Sequence, residues 1–191
     1  MQKAFPELWI LRHGETEWNV LGRLQGQFDS ALTSKGLAQS TRQAGILKLE
    51  LSEKEVRVYS SPAGRALRTA QIAASGLAVE CHPALQEINI GTWQGMTVAE
   101  IKLAHPELDH ADDPHVWKFQ APQGERIEQM KARLERFLEN LTGPSVIVTH
   151  GVTSRMLRCL VLGLDVSNMS LVPGGQGIVH HIKDGQAQVL Q

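Results

Sequence analysis

Two histidines, His13 and His150, each lie just beyond a short apolar run and just before a glycine. The two runs, Leu8–Leu11 and Val146–Val148, have the length of buried strands. A histidine beyond the end of a buried strand is held in place by the sheet, and the glycine after it lets backbone approach a bound group closely. Two such imidazoles could face a single site. The alternative is a pair of loop histidines with ordinary surface roles.

Arginines near these positions indicate an anion site. Arg12 directly precedes the first histidine, and the helix expected after Pro62 carries Arg65 and Arg68 about one turn apart. An arginine near a helix start at a strand end suits an oxyanion, because its planar fork matches phosphate and the helix terminus adds a favourable dipole. Arg65, on the first turn, is the better candidate, whereas Arg68 is expected on a solvated helix face.

Other residues with reactive side chains are interpreted as structural. Glu15 stands close to the first histidine, but its charge would repel phosphate, so a structural pairing with an arginine is favoured. A stretch rich in histidine and aspartate is interrupted by two prolines and fits no familiar metal spacing, so a solvated loop is favoured over metal ligation. Its members are His105, His110, Asp112, Asp113 and His115. We expect neither a metal nor a cofactor.

A histidine pair, a tryptophan and two cysteines have less specific interpretations. His180 and His181 would point to opposite faces of a strand, which excludes both from one ligand set. Trp93 is interpreted mainly as packing, with a weaker candidacy for lining a substrate mouth. Cys81 and Cys159 lie far apart without C-x-x-C spacing, so both are expected to be buried thiols.

The elements that must position these residues alternate between strands and helices. Short apolar or alternating runs predict strands, and apolar residues at helical spacing between caps and stops predict helices. The predicted strands are Leu8–Leu11, Val56–Tyr59, Ala78–Cys81, Val146–Val148, and a hairpin of Gly177–Ile182 and Ala187–Leu190 that turns at Asp184-Gly185. The predicted helices are one from Thr33 to Leu51, one that follows Ser60-Ser61-Pro62 and runs through Ala74, then Val98–Ala104, Glu125–Leu141 and Thr153–Leu162. Residues 82–123 are otherwise expected to be irregular.

This alternation predicts an α/β fold, a three-layer sandwich with a largely parallel central sheet flanked by helices. In such folds ligands bind outside the carboxyl ends of the strands, which is where His13 and His150 are expected. No internal repeat, low-complexity segment or linker divides the chain, so residues 1–191 are expected to form a single domain.

The composition limits the possible partners. The 19 Lys and Arg residues against 20 Asp and Glu residues give a net charge of −1, so the broad basic field of a general nucleic-acid binder is missing. The longest apolar runs fall far short of the roughly 18 to 20 residues that a membrane span requires, and the first residues are too weakly apolar for a signal peptide. We therefore expect a cytoplasmic protein that binds neither nucleic acid nor membrane.

Motifs spread along the chain resemble those of the histidine phosphatase superfamily, the phosphoglycerate mutase-like proteins. They are Leu11-Arg12-His13-Gly14-Glu15-Thr16-Glu17-Trp18-Asn19, then Gln25-Gly26, Ser60-Ser61-Pro62 with Arg65 and Thr69-Ala70, Glu87 with Gly91-Thr92-Trp93-Gln94-Gly95, and Thr149-His150-Gly151. The first motif alone is moderately specific. The ordered set spans nearly the whole chain and is highly specific. The resemblance implies a phosphoglycerate mutase-like fold.

The resemblance also implies roles for individual residues. His13 would take up the phosphoryl group as nucleophile, and Arg12, Arg65 and a protonated His150 would bind it in place of a metal. Glu87, with a pKa raised in a closed site, would donate a proton to the leaving group and later accept one from water. The other implied phosphate or substrate ligands are Thr16, Asn19, Gln25, Gly26 and Gly151.

Three functions are compatible with these residues. The first, which we favour, is a metal-independent phosphatase that hydrolyses a small phosphorylated metabolite through a phosphohistidine. The second is a mutase, although similar mutases are usually longer and 191 residues leave little room for their extra segments over the site. The third is a noncatalytic phosphate-binding module, against which His13 and Glu87 argue. Gln94 and Arg126 replace the glutamate and serine often found in the family pattern, and these changes affect only the choice of substrate.

Overall fold

The computed structural model describes residues 5–52, 54–110 and 113–191, which form a six-stranded sheet between two layers of helices. The strands lie in the order β3-β2-β4-β1-β5-β6. Their bounds are β1 Leu8–Arg12, β2 Arg57–Ser60, β3 Val79–Cys81, β4 Ser145–Thr149, β5 Val179–Lys183 and β6 Gln186–Leu190. The first four strands pair in parallel, whereas β5 runs antiparallel to β1 and to β6. The expected largely parallel sheet is confirmed.

In the part of the chain that the structure describes, six α-helices flank this sheet. They are α1 Glu17–Val20, α2 Ser34–Glu50, α3 Gly64–Ala73, α4 Val98–Ala104, α5 Ile127–Glu139 and α6 Gly151–Leu162. Five 3-10 helices occupy Pro83–Leu85, Gly91–Trp93, Pro106–His110, Val116–Gln120 and Val166–Leu171. The predicted irregular region thus contains α4 and four of these short helices. No helix in the described ranges is both long and apolar enough to cross a bilayer.

Alternating side chains of the central strands give the fold its three layers. Leu8 and Ile10 of β1 belong to the core cluster that contains residues of α5 and α6. Trp9 and Leu11 belong to the second cluster, which contains residues of α2 and α3. A strand buried on both faces reads as a continuous apolar run, which is why the pattern predicted β1 and β4 correctly.

Several predicted boundaries require correction. Helix α3 begins at Gly64 with Ala63 as an N-cap that makes no side-chain hydrogen bond, so Ser60-Ser61-Pro62 precedes the helix and does not cap it. Helix α6 begins two residues earlier than predicted because His150 itself is the N-cap residue. Helix α5 begins at Ile127, two residues later than predicted. Helix α1, capped by Thr16, was not predicted because four residues are too few for a periodic signal.

The hairpin and one cysteine complete the comparison. Asp184 and Gly185 both have positive φ, at 50° and 74°, which is the turn expected for a two-residue hairpin loop. Cys159 is buried as predicted. Cys81 is exposed, so its prediction was wrong: β3 is an edge strand, and its last residue faces solvent.

The sheet brings both histidines to the same edge. Strand β4 lies between β1 and β2, and the amide of His13 donates to the carbonyl of Thr149 at 3.0 Å. On the other side of β4, the amide of Ser61 donates to the carbonyl of Val148 at 2.9 Å. Hydrogen bonding between the strands therefore places His13, His150 and Ser61 side by side beyond their carboxyl ends.

A pair of glycines lets the loop after β1 pack directly on helix α2. A Cβ at Gly14 would lie 2.2 Å from the backbone oxygen of Gly36, and one at Gly36 would lie 2.0 Å from that of Glu15. Each of the two glycines therefore leaves the space that the backbone opposite it occupies. Gly14 serves helix packing, which fixes the loop that carries His13.

We expect Gly36→Ala to lower the free energy of unfolding by about 1–3 kcal/mol, because the new methyl group meets backbone that cannot move aside cheaply. Gly45→Ala in the same helix is the matched control. A Cβ there has no neighbour within 4 Å, so alanine should stabilise the helix by about 0.5–1 kcal/mol. Urea unfolding of both variants checks this. Equal effects in the two variants would contradict the packing role of Gly36.

Candidate active site

A cavity of about 420 Å³ opens at the carboxyl ends of β1 and β4. The structure places eight of the ten predicted site residues in its wall. They are Arg12, His13, Asn19, Gln25, Gly26, Arg65, Glu87 and Gly151. His150 is fully buried directly behind the wall, with its ring centroid 5.2 Å from that of His13. Thr16 is also fully buried and does not line the cavity.

His13 is held so that one ring nitrogen remains a nucleophile. Its Nδ1 lies 2.7 Å from the carbonyl oxygen of Gly14, which can only accept, so Nδ1 carries the proton and Nε2 is unprotonated. Burial, followed by the nearby His150, Arg12 and Arg65, lowers the pKa of His13 well below its usual value. The imidazole is therefore neutral at physiological pH, which is the state that can attack phosphorus.

Arg65 is the most completely fixed cation of the site. Its Nε donates to Nε2 of His13 at 3.3 Å, and its Nη2 donates to the carbonyl of Gly26 at 2.9 Å. Its Nη1 donates to the carbonyl of Phe28 at 2.6 Å and to the Asp29 carboxylate at 2.8 Å. These bonds hold the guanidinium against the proposed nucleophile. Gly26 thus positions Arg65 through its carbonyl.

Arg12 reaches the cavity from the last position of β1. Its carbonyl accepts a hydrogen bond from the Gln43 side chain at 3.1 Å, which fixes the end of the strand. Its Nε is buried without a hydrogen-bond partner among the described residues. Burial lowers the pKa of Arg12, although the nearby Glu87 carboxylate opposes this. A buried guanidinium with a free donor indicates an anion-binding position.

His150 pairs with Ser61 instead of facing solvent. Its Nε2 lies 2.7 Å from the Ser61 hydroxyl, and its Nδ1 is buried without a partner among the described residues. Burial, and then Arg65 and Arg12, lower the pKa of His150 well below its usual value. These surroundings therefore favour a neutral His150, not the protonated form expected from the sequence. A bound phosphate would raise the pKa of His150 again, since an adjacent anion favours the charged form.

Glu87 lies at the N-terminus of helix α6. Its carboxylate accepts from the amides of Val152 at 3.1 Å, Thr153 at 3.1 Å and Ile88 at 3.0 Å, and from the Thr153 hydroxyl at 2.9 Å. Burial alone would raise the pKa of Glu87, but these hydrogen bonds outweigh it and the pKa is lowered. The raised pKa that was predicted for Glu87 is therefore contradicted. Glu87 rests as a carboxylate stabilised by a helix end.

The three predicted neutral ligands behave differently. The Thr16 hydroxyl accepts from the Asn19 amide at 3.2 Å and from the Gln25 side chain at 2.7 Å, so it caps α1 and is not positioned to bind phosphate. The Asn19 Oδ1 accepts from Gln176 at 3.2 Å, which leaves the Asn19 NH₂ group as a donor toward the cavity. Both ends of the Gln25 amide are bonded, to Thr16 and to Ser30. Asn19 is the stronger candidate ligand.

The residues interpreted as structural largely behave as such. Glu15 pairs with Lys35 at 2.8 Å, not with an arginine. Arg68 is exposed, as predicted. Trp93 packs on Trp117 and lies outside the cavity wall, so its candidacy as a mouth residue was wrong.

No group of three or more potential metal ligands occurs in the described ranges. The Asp113 carboxylate accepts from the amides of His115 and Ser170, which makes it a loop-stabilising residue. His105 contacts the Glu107 carboxylate at 3.2 Å. Asp112 and the side chain of His110 lie outside the described part of the chain.

Thirteen further residues line the cavity that the sequence did not single out as site residues, and six of them carry a cationic or imidazole side chain. These six are Arg23, His115, Lys118, Arg155, Arg158 and His180. His180 contacts Arg158 on α6 while His181 stacks on Trp9, so the two do face opposite sides of the sheet as predicted. The spacing of residues 155 and 158, one turn apart on a helix that starts at the site, was the available signal.

Comparisons with known proteins agree with this geometry. The family model for histidine phosphatase superfamily (branch 1) matches residues 8–188. Phosphoserine phosphatase 1 of Hydrogenobacter thermophilus is 37% identical over 171 residues, which cover 84% of this chain and 78% of that protein. A probable phosphoglycerate mutase of Erwinia tasmaniensis is 34% identical over 165 residues, which cover 83% of this chain and 75% of that protein.

Solved structures give the same result. The α-ribazole phosphatase of Shigella flexneri superposes with a TM-score of 0.81 at 27% identity, covering 96% of this chain and 95% of that one. The matched range contains the five residues to which the main roles were assigned, and the fold brings them together at one cavity. They are Arg12, His13, Arg65, Glu87 and His150. The chain therefore belongs to branch 1 of the histidine phosphatase superfamily.

Proposed function

We propose that this protein is a metal-independent phosphatase that hydrolyses a small phosphomonoester through a phosphohistidine at His13. One observation carries the proposal: a neutral imidazole with an unprotonated Nε2 lies in a cavity wall together with two guanidiniums and a helix-bound carboxylate. A cavity of about 420 Å³ suits a small metabolite. Relatives named phosphoserine phosphatase and glucosyl-3-phosphoglycerate phosphatase support the same reaction class.

In the first step, Nε2 of His13 attacks phosphorus in line. A P–N bond forms, the P–O bond to the leaving alcohol breaks, and the proton on Nδ1 stays hydrogen-bonded to Gly14. Negative charge spreads over the three equatorial oxygens, where Arg12 and Arg65 stabilise it. His150 takes up a proton from solvent when the anion binds beside it, and it adds a third positive charge. These groups supply the compensation that a metal provides in other phosphatases.

The leaving oxygen needs a proton, and Glu87 is placed to deliver it. Since the hydrogen bonds to Glu87 keep it ionised before substrate binds, the proton arrives with the substrate monoanion. The bound phosphate raises the pKa of the neighbouring carboxyl, so Glu87 takes up this proton and passes it to the leaving oxygen. In the second step water attacks the phosphohistidine, Glu87 accepts the water proton, the P–N bond breaks and His13 is restored.

We further propose that residues 1–191 act as one domain, because a single sheet carries all six strands and the family match extends over residues 8–188. We also propose a cytoplasmic location, because phosphorylated metabolites are retained there by a charge that prevents them from crossing a bilayer. We propose that the protein binds neither nucleic acid nor membrane.

The test is release of inorganic phosphate from a panel of small phosphoesters, with and without a chelator. We expect hydrolysis that the chelator leaves unchanged. A relative named as a probable phosphoglycerate mutase makes mutase activity the second candidate. Incubation with a phosphoglycerate and a bisphosphoglycerate primer separates the two, since isomerisation without phosphate release would replace hydrolysis. Tight phosphate binding without any turnover would instead favour a noncatalytic module.

We expect kcat/KM to be greatest on the acid side of neutrality. His13 attacks only when neutral, and its pKa lies well below its usual value, so activity is lost only as the pH falls through that lowered pKa. The proton for Glu87 comes from the substrate monoanion, which disappears as the pH rises above its second pKa of about 6. Initial rates at constant ionic strength check this. A kcat/KM that rises steadily above neutral pH would contradict proton delivery by the substrate.

A further inference from the structure

The cavity holds more positive charge than one phosphoryl group accounts for. Among the described residues, six cationic side chains line it and Glu87 is the one carboxylate in its wall. Arg12 and Arg65 belong to the His13 end, where the phosphoryl group is proposed to bind. The other four cations are Arg23, Lys118, Arg155 and Arg158.

Two of these four already donate to backbone. Arg158 donates to the carbonyl of Pro173 at 2.6 Å, and its relative exposure is only 3%. Arg23 donates to the carbonyl of Gly95 at 2.6 Å, and its side chain is 41% exposed. Both add to the positive potential of the cavity, but they have fewer donors left for a ligand.

Lys118 lacks such a partner. Its side chain is partly buried in the cavity wall, with Nζ 5.7 Å from the ring centroid of Trp117, and it forms no hydrogen bond or ion pair with another described residue. Burial lowers the pKa of Lys118, the Glu87 carboxylate opposes this, and the neighbouring guanidiniums of Arg12 and Arg155 act in the same direction as burial. An ammonium in this position is costly unless an anion binds beside it.

Arg155 is the second cation with free donors. Its Nη1 donates to the carbonyls of Met169 and Val172, while Nε and Nη2 make no hydrogen bond within the described ranges. Gly174 leaves the space that this guanidinium fills, since a Cβ there would lie 2.3 Å from Nη2. One nitrogen is anchored by backbone, and the others remain available in the cavity wall.

His115 lies in the same cavity wall as these two cations. Its pKa is lowered to about 4, first by burial and then by Lys118 and Arg155. Arg155 lies four residues after Gly151, about 6 Å along the axis of α6, and Gly151 itself adjoins Arg12 and Glu87. The second pair of cations is therefore within the length of a small metabolite from the phosphoryl position.

We propose that Lys118 and Arg155 bind a second anionic group of the substrate, either a carboxylate or another phosphate. The preferred substrates are then phosphomonoesters of acids or bisphosphates, and phosphates of neutral alcohols are poor substrates. This inference rests on the proposed function, because it takes the phosphoryl end of the cavity to be at His13. A neutral substrate would cover two cations without pairing them, which costs about 10- to 100-fold in affinity.

The test compares substrates that differ by one charged group. For the carboxylate, kcat/KM is measured for 3-phosphoglycerate and for glycerol 3-phosphate, in which a hydroxymethyl group replaces the carboxylate. For the second phosphate, propane-1,3-diol bisphosphate is compared with the monophosphate. We expect at least one anionic substrate to be preferred by about 10- to 100-fold. Lys118→Met and Arg155→Met should each reduce that preference about tenfold, whereas Lys48→Met, an equal charge change on exposed α2 surface, should not.

Calorimetric binding of the same pairs to the wild-type protein supplies a readout that does not need turnover. Equal dissociation constants within both pairs, or a preference that survives in both cavity variants, would overturn the second-anion site. Absence of phosphate release from every ester, combined with tighter binding of the anionic ones, would leave this site standing and count against the proposed phosphatase reaction instead. Equal rates within both pairs would leave the phosphatase reaction standing and count against the second-anion site.

Discussion

A His13→Ala variant should lose at least about 10⁴-fold in kcat, because removing a covalent nucleophile removes the reaction path itself. The fold should persist. His13 is only 3% exposed, but its side chain bonds to Gly14 of its own loop and to Arg65, which Asp29 and two carbonyls still hold. Phosphate release from an active ester gives the rate, and urea unfolding gives the stability. A variant that keeps wild-type turnover would exclude His13 as the nucleophile.

The control is His105→Ala, which removes an imidazole outside the cavity wall. This variant should retain full activity. The intermediate itself is accessible by rapid acid-free quenching followed by mass spectrometry of the peptide that contains His13. A phosphoryl group on this peptide in the wild-type protein, and its absence in His13→Ala, would identify His13 as the attacking residue. A phosphoryl group on any other residue would assign the chemistry elsewhere.

A Glu87→Gln variant should lose about 10²- to 10⁴-fold in kcat with esters of ordinary alcohols, since a carboxamide cannot donate the required proton. It should also unfold more easily, by about 1–3 kcal/mol. Both carboxylate oxygens accept amide hydrogens of α6, from Val152 and Thr153, and an NH₂ group on one side would face a donor.

Esters with different leaving groups separate the loss of proton transfer in Glu87→Gln from the loss of stability. An ester of p-nitrophenol leaves without a proton, so its first step should be nearly insensitive to the substitution, while esters of aliphatic alcohols should lose the full factor. Burst kinetics isolate this first step from the hydrolysis of the intermediate. Equal losses for both kinds of ester would show that Glu87 acts by holding helix α6 and not by proton transfer.

The fold was predictable where burial imposes a simple pattern. Strands β1 and β4 are buried on both faces and are therefore uninterrupted apolar runs, and α5 carries its apolar residues at helical spacing. The boundaries were less predictable, because a residue such as His150 caps its helix through backbone conformation and leaves no cap signature in the sequence.

The candidate site was predictable in its members but not in its protonation. The motif placed Glu87 in the site, yet the sign of its pKa shift depends on amides from Val152 and Thr153, 65 and 66 residues away. Lys118 was missed for a related reason. It lies in the irregular middle region, where no periodicity shows which side chains turn toward the cavity.

The distance between the two imidazoles is a property of the backbone more than of the side chains around it. Arg12 is in register with Thr149 in adjacent parallel strands, so the residues that follow them are held at an interstrand spacing of about 4.8 Å. Substitutions in either hydrophobic layer can therefore make the protein easier to melt without changing this geometry. Proteins with this fold can therefore differ in melting temperature while the kcat of the folded molecule stays constant.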